Sequence, residues 1–369
     1  MATLQTTTFQ NTDSVTLPVG NTASRSSPVT GMLRYNNASG VDKLEFYDGS
    51  GWRSVTGFSQ GLIGSGGQTT YYQNGGIVHI YTSVGSHTFT PAHTGNVQVL
   101  VVAGGGSSGY DWAGGGGGGG VLYNRSFPVT TGTPYPVTVG GGGSRVGRGG
   151  NSNFGPISAL GGGHGGSWNN SNASNSFVNP GPAQGSGGGG SNGGDGPVPN
   201  RYRMPPGIGT EGQGFPGGSA MRFNSSGDNC HWGGGGGGAG GRGEDAPDDR
   251  DDARNCDGGP GLANDTLGHT LYWGGGGAGG AHHGYAYCNG GVGGGGGGAI
   301  YHGTPLRPPS NRLGIGGGQA YSTSTPWGPG SFDAFGYANG GGGANNTGGG
   351  GGGGQYGANG GSGIVIVRY

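Results

Sequence analysis

The sequence predicts a mainly β and irregular protein with very little α-helix. A small N-terminal β meander is followed by a glycine-rich domain of packed polyglycine-II helices bracketed by β-strands. Three observations predict it. Glycine supplies 106 of 369 residues, but only six of them fall in the first 60. The later glycines gather in nearly pure runs, such as Gly114 to Gly120 and Gly348 to Gly354, often preceded by an aromatic residue and closed by a single alanine such as Ala239, Ala278 or Ala299. The glycine-rich part also opens and closes on strongly apolar strands, Asn96-Val-Gln-Val-Leu-Val-Val-Ala103 and Gly363-Ile-Val-Ile-Val-Arg-Tyr369.

Residues 1–60 read as the first domain. Met32-Leu-Arg-Tyr35 and Lys43-Leu-Glu-Phe-Tyr47 alternate in polarity across a polar turn, and Asp48-Gly-Ser-Gly51 turns the chain into Trp52-Arg-Ser-Val55. So small a meander buries little apolar surface and is marginal alone, so oligomerisation is expected. Residues 61–69 read as a linker, and residues 70–369 as the glycine-rich domain. β signals return at Gly76 to Thr82, His87 to Thr90 and Asn96 to Ala103. The last of these is expected beside the C-terminal strand in one sheet that closes the domain.

The runs themselves need an account. Flexible tethers are usually glycine–serine mixtures, and serine is largely absent within these runs. A polyproline-II-type helix has three residues per turn, no internal hydrogen bonds and outward-pointing N–H and C=O groups. Side by side, such helices bond to one another as strands do, and only glycine permits the approach. Fixing each backbone costs about 1–2 kcal/mol, more for glycine, so one run could not stay ordered by itself. Many runs in a cooperative lattice could.

Composition narrows the function. Charged residues are 9% of the chain and the net charge is −1, which argues against electrostatic capture of nucleic acid. Apolar runs such as Val97 to Ala103 are too short to cross a bilayer, so no membrane insertion is expected. The N-terminus shows no secretory leader pattern; an extracellular role would then follow release by lysis. No nucleophile elbow, paired-carboxylate pattern or phosphate loop is present. Neither an enzyme nor a cofactor is expected, and Gly-x-Gly-x-x-Gly matches carry no meaning at this glycine content.

A glycine lattice leaves recognition to the segments between its runs. Four are rich in side chains: Asn200 to Pro206, Met221 to Trp232, Ala281 to Cys288, and Pro305 to Tyr337. Aromatic and arginine side chains dominate binding hot spots. The candidate contacts are therefore Tyr202, Arg203, Arg222, Phe223, His282, His283, Tyr285, Tyr287, Trp327, Phe332, Phe335 and Tyr337. The alternative role for such aromatics is to cap the glycine helices as small hydrophobic plugs. Glu244 to Asp252 lacks the glycine and terminal glutamate of a calcium loop and reads as a solvated loop paired with Arg242, Arg250 and Arg254. Cys230, Cys256 and Cys288 are an odd count without metal-type spacing. Three buried thiols are the favoured reading, ahead of one disulfide with a free thiol, or of zinc; no metal site is expected.

Two resemblances add to this reading. Leu17 to Val55, with the pair Arg34-Tyr35 and the turn ending at Trp52, resembles the N-terminal particle-attachment module of bacteriophage tail-fibre proteins. Ile80 to Gly106, the long runs, Tyr135 to Gly143, Gly149 to Gly163 and the final Gly360 to Tyr369 resemble the glycine-rich domain at the tips of some phage fibres. Members of that class fold as sandwiches of polyglycine-II helices whose apical loops grip host surface molecules; a similar domain occurs in the anaplastic lymphoma kinase receptor family. The resemblance implies a homotrimeric virion fibre made in the host cytoplasm and acting outside the cell. Its N-terminal domain would hold other tail or virion proteins and trimerise through Arg34, Tyr35, Phe46, Tyr47 and Trp52. Its loops would bind a host glycan or outer-membrane protein. A head-decoration fibre is the alternative. A capsular depolymerase fits less well, since the chain lacks a long β-helix with a carboxylate groove.

Overall fold

The structure, a computed structural model, describes residues 17–24, 27–38, 43–54, 64–73, 76–167, 185–191, 201–225, 228–247, 256–282, 288–301, 312–313, 331–332 and 338–369. Contacts divide the chain into two compact units, Met1–Ile63 and Gly64–Tyr369. Apart from a 3-10 turn at Thr22–Ser24, the regular elements among the described residues are strands.

In the first unit the expected meander forms from Leu33–Asn36, Lys43–Tyr47 and Trp52–Ser54, and Val19–Gly20 adds a fourth, parallel strand beside Leu33–Asn36. The Asp48 carboxylate makes the last turn. It accepts from the amides of Ser50 and Gly51 at 2.8 and 2.7 Å, and Gly49 takes φ +97°, which favours glycine there.

The second unit is built on a five-stranded antiparallel sheet, in the order Thr69–Gln73, Gly76–Tyr81, Ile364–Arg368, Gly95–Val102, Val121–Val129. The two apolar strands that bracket the glycines are therefore neighbours, with Ile366 opposite Leu100. The unbroken apolar stretches Val99 to Val102 and Ile364 to Val367 have a simple cause, because both faces of the sheet are buried there. Val99, Val101, Val365 and Val367 meet Phe89, Val137 and Phe154 of a flanking four-stranded sheet. Leu100, Val102, Ile364 and Ile366 meet Leu267 and Trp273 on the other side. Each such side chain contributes about 1.5–3 kcal/mol. Residues 64–68, expected as linker, engage this unit: Ser65 bridges to Thr90, and the Gln68 amide donates to Ile80.

The glycine lattice grows directly out of the sheet. The ladder pair Val102–Val121 is followed by an Ala103 amide bonded to the Gly120 carbonyl. Along the run that follows, Gly114, Gly117 and Gly120 donate to Gly166, Gly163 and Leu160, Gly115 and Gly118 donate to Gly234 and Gly237, and Gly116 and Gly119 donate to Gly351 and Gly348. Every third residue faces the same neighbour, and the neighbour also advances by threes. That is the pattern of a helix with three residues per turn, bonded only sideways. Its carbonyls accept from three further segments, through Gly109, Gly106 and Ala103, through Gly189 and Ser186, and through Gly277. The run is thus enclosed by glycine backbone. A Cβ on Gly118 would lie 2.0 Å from the Gly274 carbonyl oxygen.

Two tryptophans close this lattice at its ends. Trp273, beside the sheet, is 1% exposed, and Trp232, at the far end, is 0% exposed among Met221, Ala246, Ala278 and Ala281. Here the plug role holds. We call the sheet end the base and the opposite end the apex.

The cysteines correct the sequence expectation. Cys256 and Cys288 form a disulfide with Cα atoms 4.9 Å apart, so three free thiols are not present. The lattice is the reason. Gly279 donates to the Cys256 carbonyl and Gly298 to that of Cys288, and Gly258 binds Asn289 between them. Segments separated by 32 residues are thereby held side by side, within disulfide reach. Of Cys230 only the backbone, on the strand Asp228–Trp232, is described.

Candidate functional site

The lattice register sorts the connecting segments by end. At the base many turns are tight: the Gly238 amide donates to Gly241, Gln213 to Thr210, and the Thr347 hydroxyl to Ala344. At the apex, among the described residues, the lattice gives way to strands: Ser219 and Gly233 flank Ala220–Ser225 and Asp228–Trp232, Gly280 leads into Ala281–His282, and Gly298 leads into Ala299–Tyr301.

All four expected recognition segments contribute a strand to one sheet there, the fourth through Arg312–Leu313. Its order is Arg201–Met204, Ala220–Ser225, Asp228–Trp232, Ala281–His282, Ala299–Tyr301, Arg312–Leu313. Its register places Tyr202 opposite Arg222, Arg222 opposite His231, His231 opposite His282, and His282 opposite Tyr301. Five positions scattered through a hundred residues of sequence form one cross-strand row. The next row, Arg203–Met221–Trp232–Ala281–Ile300, carries the buried Met221, Trp232 and Ala281. Strand periodicity thus separates a packing row from a row of Tyr, Arg and His positions.

The arginines are held by the fold. Arg203 donates to the Ser219 hydroxyl at 3.0 Å and to the Ala246 carbonyl at 3.1 Å. Asp245 accepts from the Ser219 amide and hydroxyl at 2.6 and 2.8 Å and pairs with Arg242. Arg203 therefore clamps the acidic segment against the apical sheet, and the expected pairing of that segment with arginine is met by Arg242. Arg222 is 5% exposed. Burial, reinforced by the nearby Asp257 carboxylate, raises the pKa of Glu244.

Tyr202, Phe223, His282 and Phe332 are described as backbone positions only. His283, Tyr285, Tyr287, Trp327, Phe335 and Tyr337, with Arg250 and Arg254, lie outside the described residues. Within the N-terminal set, Tyr35 and Phe46 are exposed, Arg34 is buried, and Tyr47 and Trp52 are half-buried.

One apical feature escaped the sequence reading. Tyr110-Asp111-Trp112 turns the chain between the first two lattice helices, and Asp111 and Trp112 both sit in left-handed backbone, at φ 57° and 54°. Glycine would normally occupy such a turn, and a tryptophan there is strained. The Asp111 and Trp112 amides donate to Gln355 and Gly354, which brings Tyr356 alongside. Tyr110 is 36% and Tyr356 47% exposed. Burial raises the pKa of the Asp111 carboxyl. The available signal was the aromatic–acid–aromatic insertion between pure glycine runs, at a place where a glycine turn would have served.

A concavity of about 450 Å³ lies on the flank nearer the base, lined by Thr82, Val84, Ser144, Asn345, Asn346, Asn359 and Ser362. It holds amides and hydroxyls but no ionisable side chain. Among the described residues no three His, Cys, Asp or Glu side chains converge as metal ligands, and no helix is long and apolar enough to cross a membrane.

The sequence model of the family described as Glycine-rich domain matches residues 81–337, more than half of the chain. The chain belongs to that family. No curated protein matches it. In this glycine-rich domain protein the matched span starts in the closing sheet, at Tyr81, and takes in the apical sheet and the lattice runs before residue 337, but not Gly348 to Gly354 or the strand Ile364–Arg368. Membership speaks to the fold, and the role must come from the site.

Proposed function

We propose that this glycine-rich domain protein is a bacteriophage virion fibre adhesin that grips a host surface molecule, a glycan or an outer-membrane protein, during adsorption. The observation that carries this reading is the polarity of the second unit. The chain enters it at the base, where the Gly64 amide meets the Tyr369 hydroxyl. Its side-chain-rich segments gather at the apex. The sheet and lattice between them make a stiff spacer: eight residues of strand and seven of glycine helix span about 50 Å. A display of this form suits a surface that must be presented to a large target. Exposed tyrosines beside strained backbone are suited to stacking on sugar rings or on apolar protein surface. The resemblance of residues 17–55 to a particle-attachment module supports the same reading.

Adsorption measurements test the proposal. Tyr110→Ala with Tyr356→Ala should reduce particle adsorption to host cells at least about tenfold, as expected for hot-spot aromatics, with thermal unfolding unchanged. Wild-type adsorption by particles carrying these changes and alanines at Tyr285, Tyr287, Trp327 and Phe332 would defeat the adhesin reading.

A further inference from the structure

The concavity on the flank of the second unit is assembled from parts of the chain far apart in sequence. They are the turn at Thr82 to Val84, the end of the lattice run Gly140 to Gly143 with Ser144, and the stretches around Asn346 and Gly360. Its volume of about 450 Å³ falls in the range of small-molecule sites.

Two of its asparagines are oriented from behind. Ser362 is 9% exposed. Its amide donates to Asn345 Oδ1 at 3.4 Å. Its hydroxyl donates to Asn346 Oδ1 at 3.2 Å and accepts from the Asn346 amide at 3.0 Å. Ser362 is itself fixed by the lattice, since its carbonyl accepts from Thr347 and Gly348. Both carboxamides are thus held by their oxygen ends, and their donor ends are left for a ligand. Among the described residues, neither Nδ2 makes a hydrogen bond within the protein, nor do the side chains of Thr82, Ser144 or Asn359.

Another part of the wall is held by a strained turn. Arg145 and Val146, which follow Ser144, take φ 49° and 59°, and a β-branched residue there is an outlier. The lattice enforces it. The buried Ser107 donates its amide to the Gly147 carbonyl, and its hydroxyl accepts from the Gly147 amide at 2.9 Å. Asn346 is also left-handed, at φ 60°. Backbone strain that the surroundings enforce gathers at sites that hold ligands.

The chemistry of the lining selects the ligand. No ionisable side chain is present, so a phosphate, carboxylate or ammonium group would lose its hydration without a counter-charge. Val84, 59% exposed, is the one apolar side chain of the lining, and an apolar ligand would leave the carboxamides and hydroxyls unsatisfied. What remains is a neutral, closely spaced set of donors and acceptors. The neighbouring hydroxyls of a sugar offer the same alternation. We propose that this concavity is a binding site for a small neutral saccharide, held by Asn345, Asn346 and Asn359 with the hydroxyls of Thr82 and Ser144. It is separate from the apex and does not rest on the adhesin reading.

Titration of the purified full chain with the methyl glycosides of glucose, galactose, mannose and N-acetylglucosamine tests it. In amide-detected NMR at least one of these sugars should shift the Nδ2 signals of Asn345, Asn346 and Asn359 together and saturably. Asn359→Ala removes a side chain that holds nothing in the fold, and Asn346→Gly removes a carboxamide while suiting the left-handed backbone. Each should lower the affinity at least about tenfold, with thermal unfolding of the Asn359 variant unchanged. Ile208→Ala, at a position 58% exposed elsewhere in the unit, should bind as the wild type does. If none of the four sugars shifts those signals in the wild type, or if Asn359→Ala binds normally, the proposal is overturned. Glucuronic acid and triglycine serve as comparison probes. A response to either of them and to no neutral sugar would assign the concavity to an acidic sugar or an extended peptide, and would equally overturn it.

Discussion

The Gly117 amide donates to the Gly163 carbonyl across 2.7 Å. Their backbones approach with no side chain between them, and what holds for this pair holds through the lattice interior. A Cβ on Gly117 would sit 2.3 Å from the Ser186 carbonyl oxygen, which is backbone and cannot swing aside.

Gly117→Val should therefore destabilise the second unit by about 3 kcal/mol or more, the upper range for overpacking. Gly342 supplies the contrast within another run, because the nearest atom to its Cβ would be 3.8 Å away. Gly342→Ala should be neutral, or stabilising by up to about 1 kcal/mol through the unfolded chain. Denaturant midpoints measure both. Slow amide exchange along Gly114 to Gly120 would report the same order, and free-chain exchange there would show that the run is not a lattice helix.

Acid should weaken the closing sheet through His79. The ring is buried, with Nδ1 2.7 Å from the Gly66 carbonyl and Nε2 3.2 Å from the Tyr369 hydroxyl. Burial lowers its pKa, only partly opposed by the Gly66 hydrogen bond. Near and below the ordinary histidine value of about 6.5, the unfolded chain binds the proton more readily than the folded one, so stability falls as pH falls. Melting at about pH 5 should come below melting at about pH 7.5, and His79→Gln should flatten that part of the profile. An unchanged profile in the variant would remove His79 as the cause.

Reduction should loosen the apex. Closing the segment between Cys256 and Cys288, 32 residues apart, is worth about 3–4 kcal/mol in the chain-entropy account. Cys288→Ala should lower the melting temperature by several degrees in oxidising buffer and bring it to that of the reduced wild type. Because both cysteines are 0% exposed, the folded wild type should resist reductant until it opens. Ready reduction of the native protein would contradict that burial.

Much of the scaffold could be read from composition and order. Ile364 to Val367 and Val99 to Val102 are apolar without alternation, which signals burial on both faces, and their places at the two ends of the glycine region suggested one sheet. The purity of Gly114 to Gly120 pointed to close backbone contact. The candidate site was less legible, because its positions are brought together by lattice register, and identical glycines carry no sign of which run lies beside which. Tyr202 and His282 could each be singled out, but not their place in a row with His231 and Tyr301. The disulfide was hidden for the same reason. Arg34 and Glu45, both buried in the first unit, misled differently: alternation marked their strands correctly but could not tell which face would be turned outward.

The threefold step of the lattice has a consequence for how these genes can vary. Sliding one glycine run past its neighbours by three residues reproduces every backbone bond, so the interior imposes no unique alignment. Alignment is set by the stops at the run ends: Trp232 and Ala239, Trp273 and Ala278, Ala113 and Val121. Lengthening a run by a whole turn advances the apex without reorienting what it carries, whereas adding one or two residues rotates the following segment by a third or two-thirds of a turn. The lattice behaves as a ruler graduated in threes, on which apical segments can be exchanged between related glycine-rich domains while the spacer stays in phase.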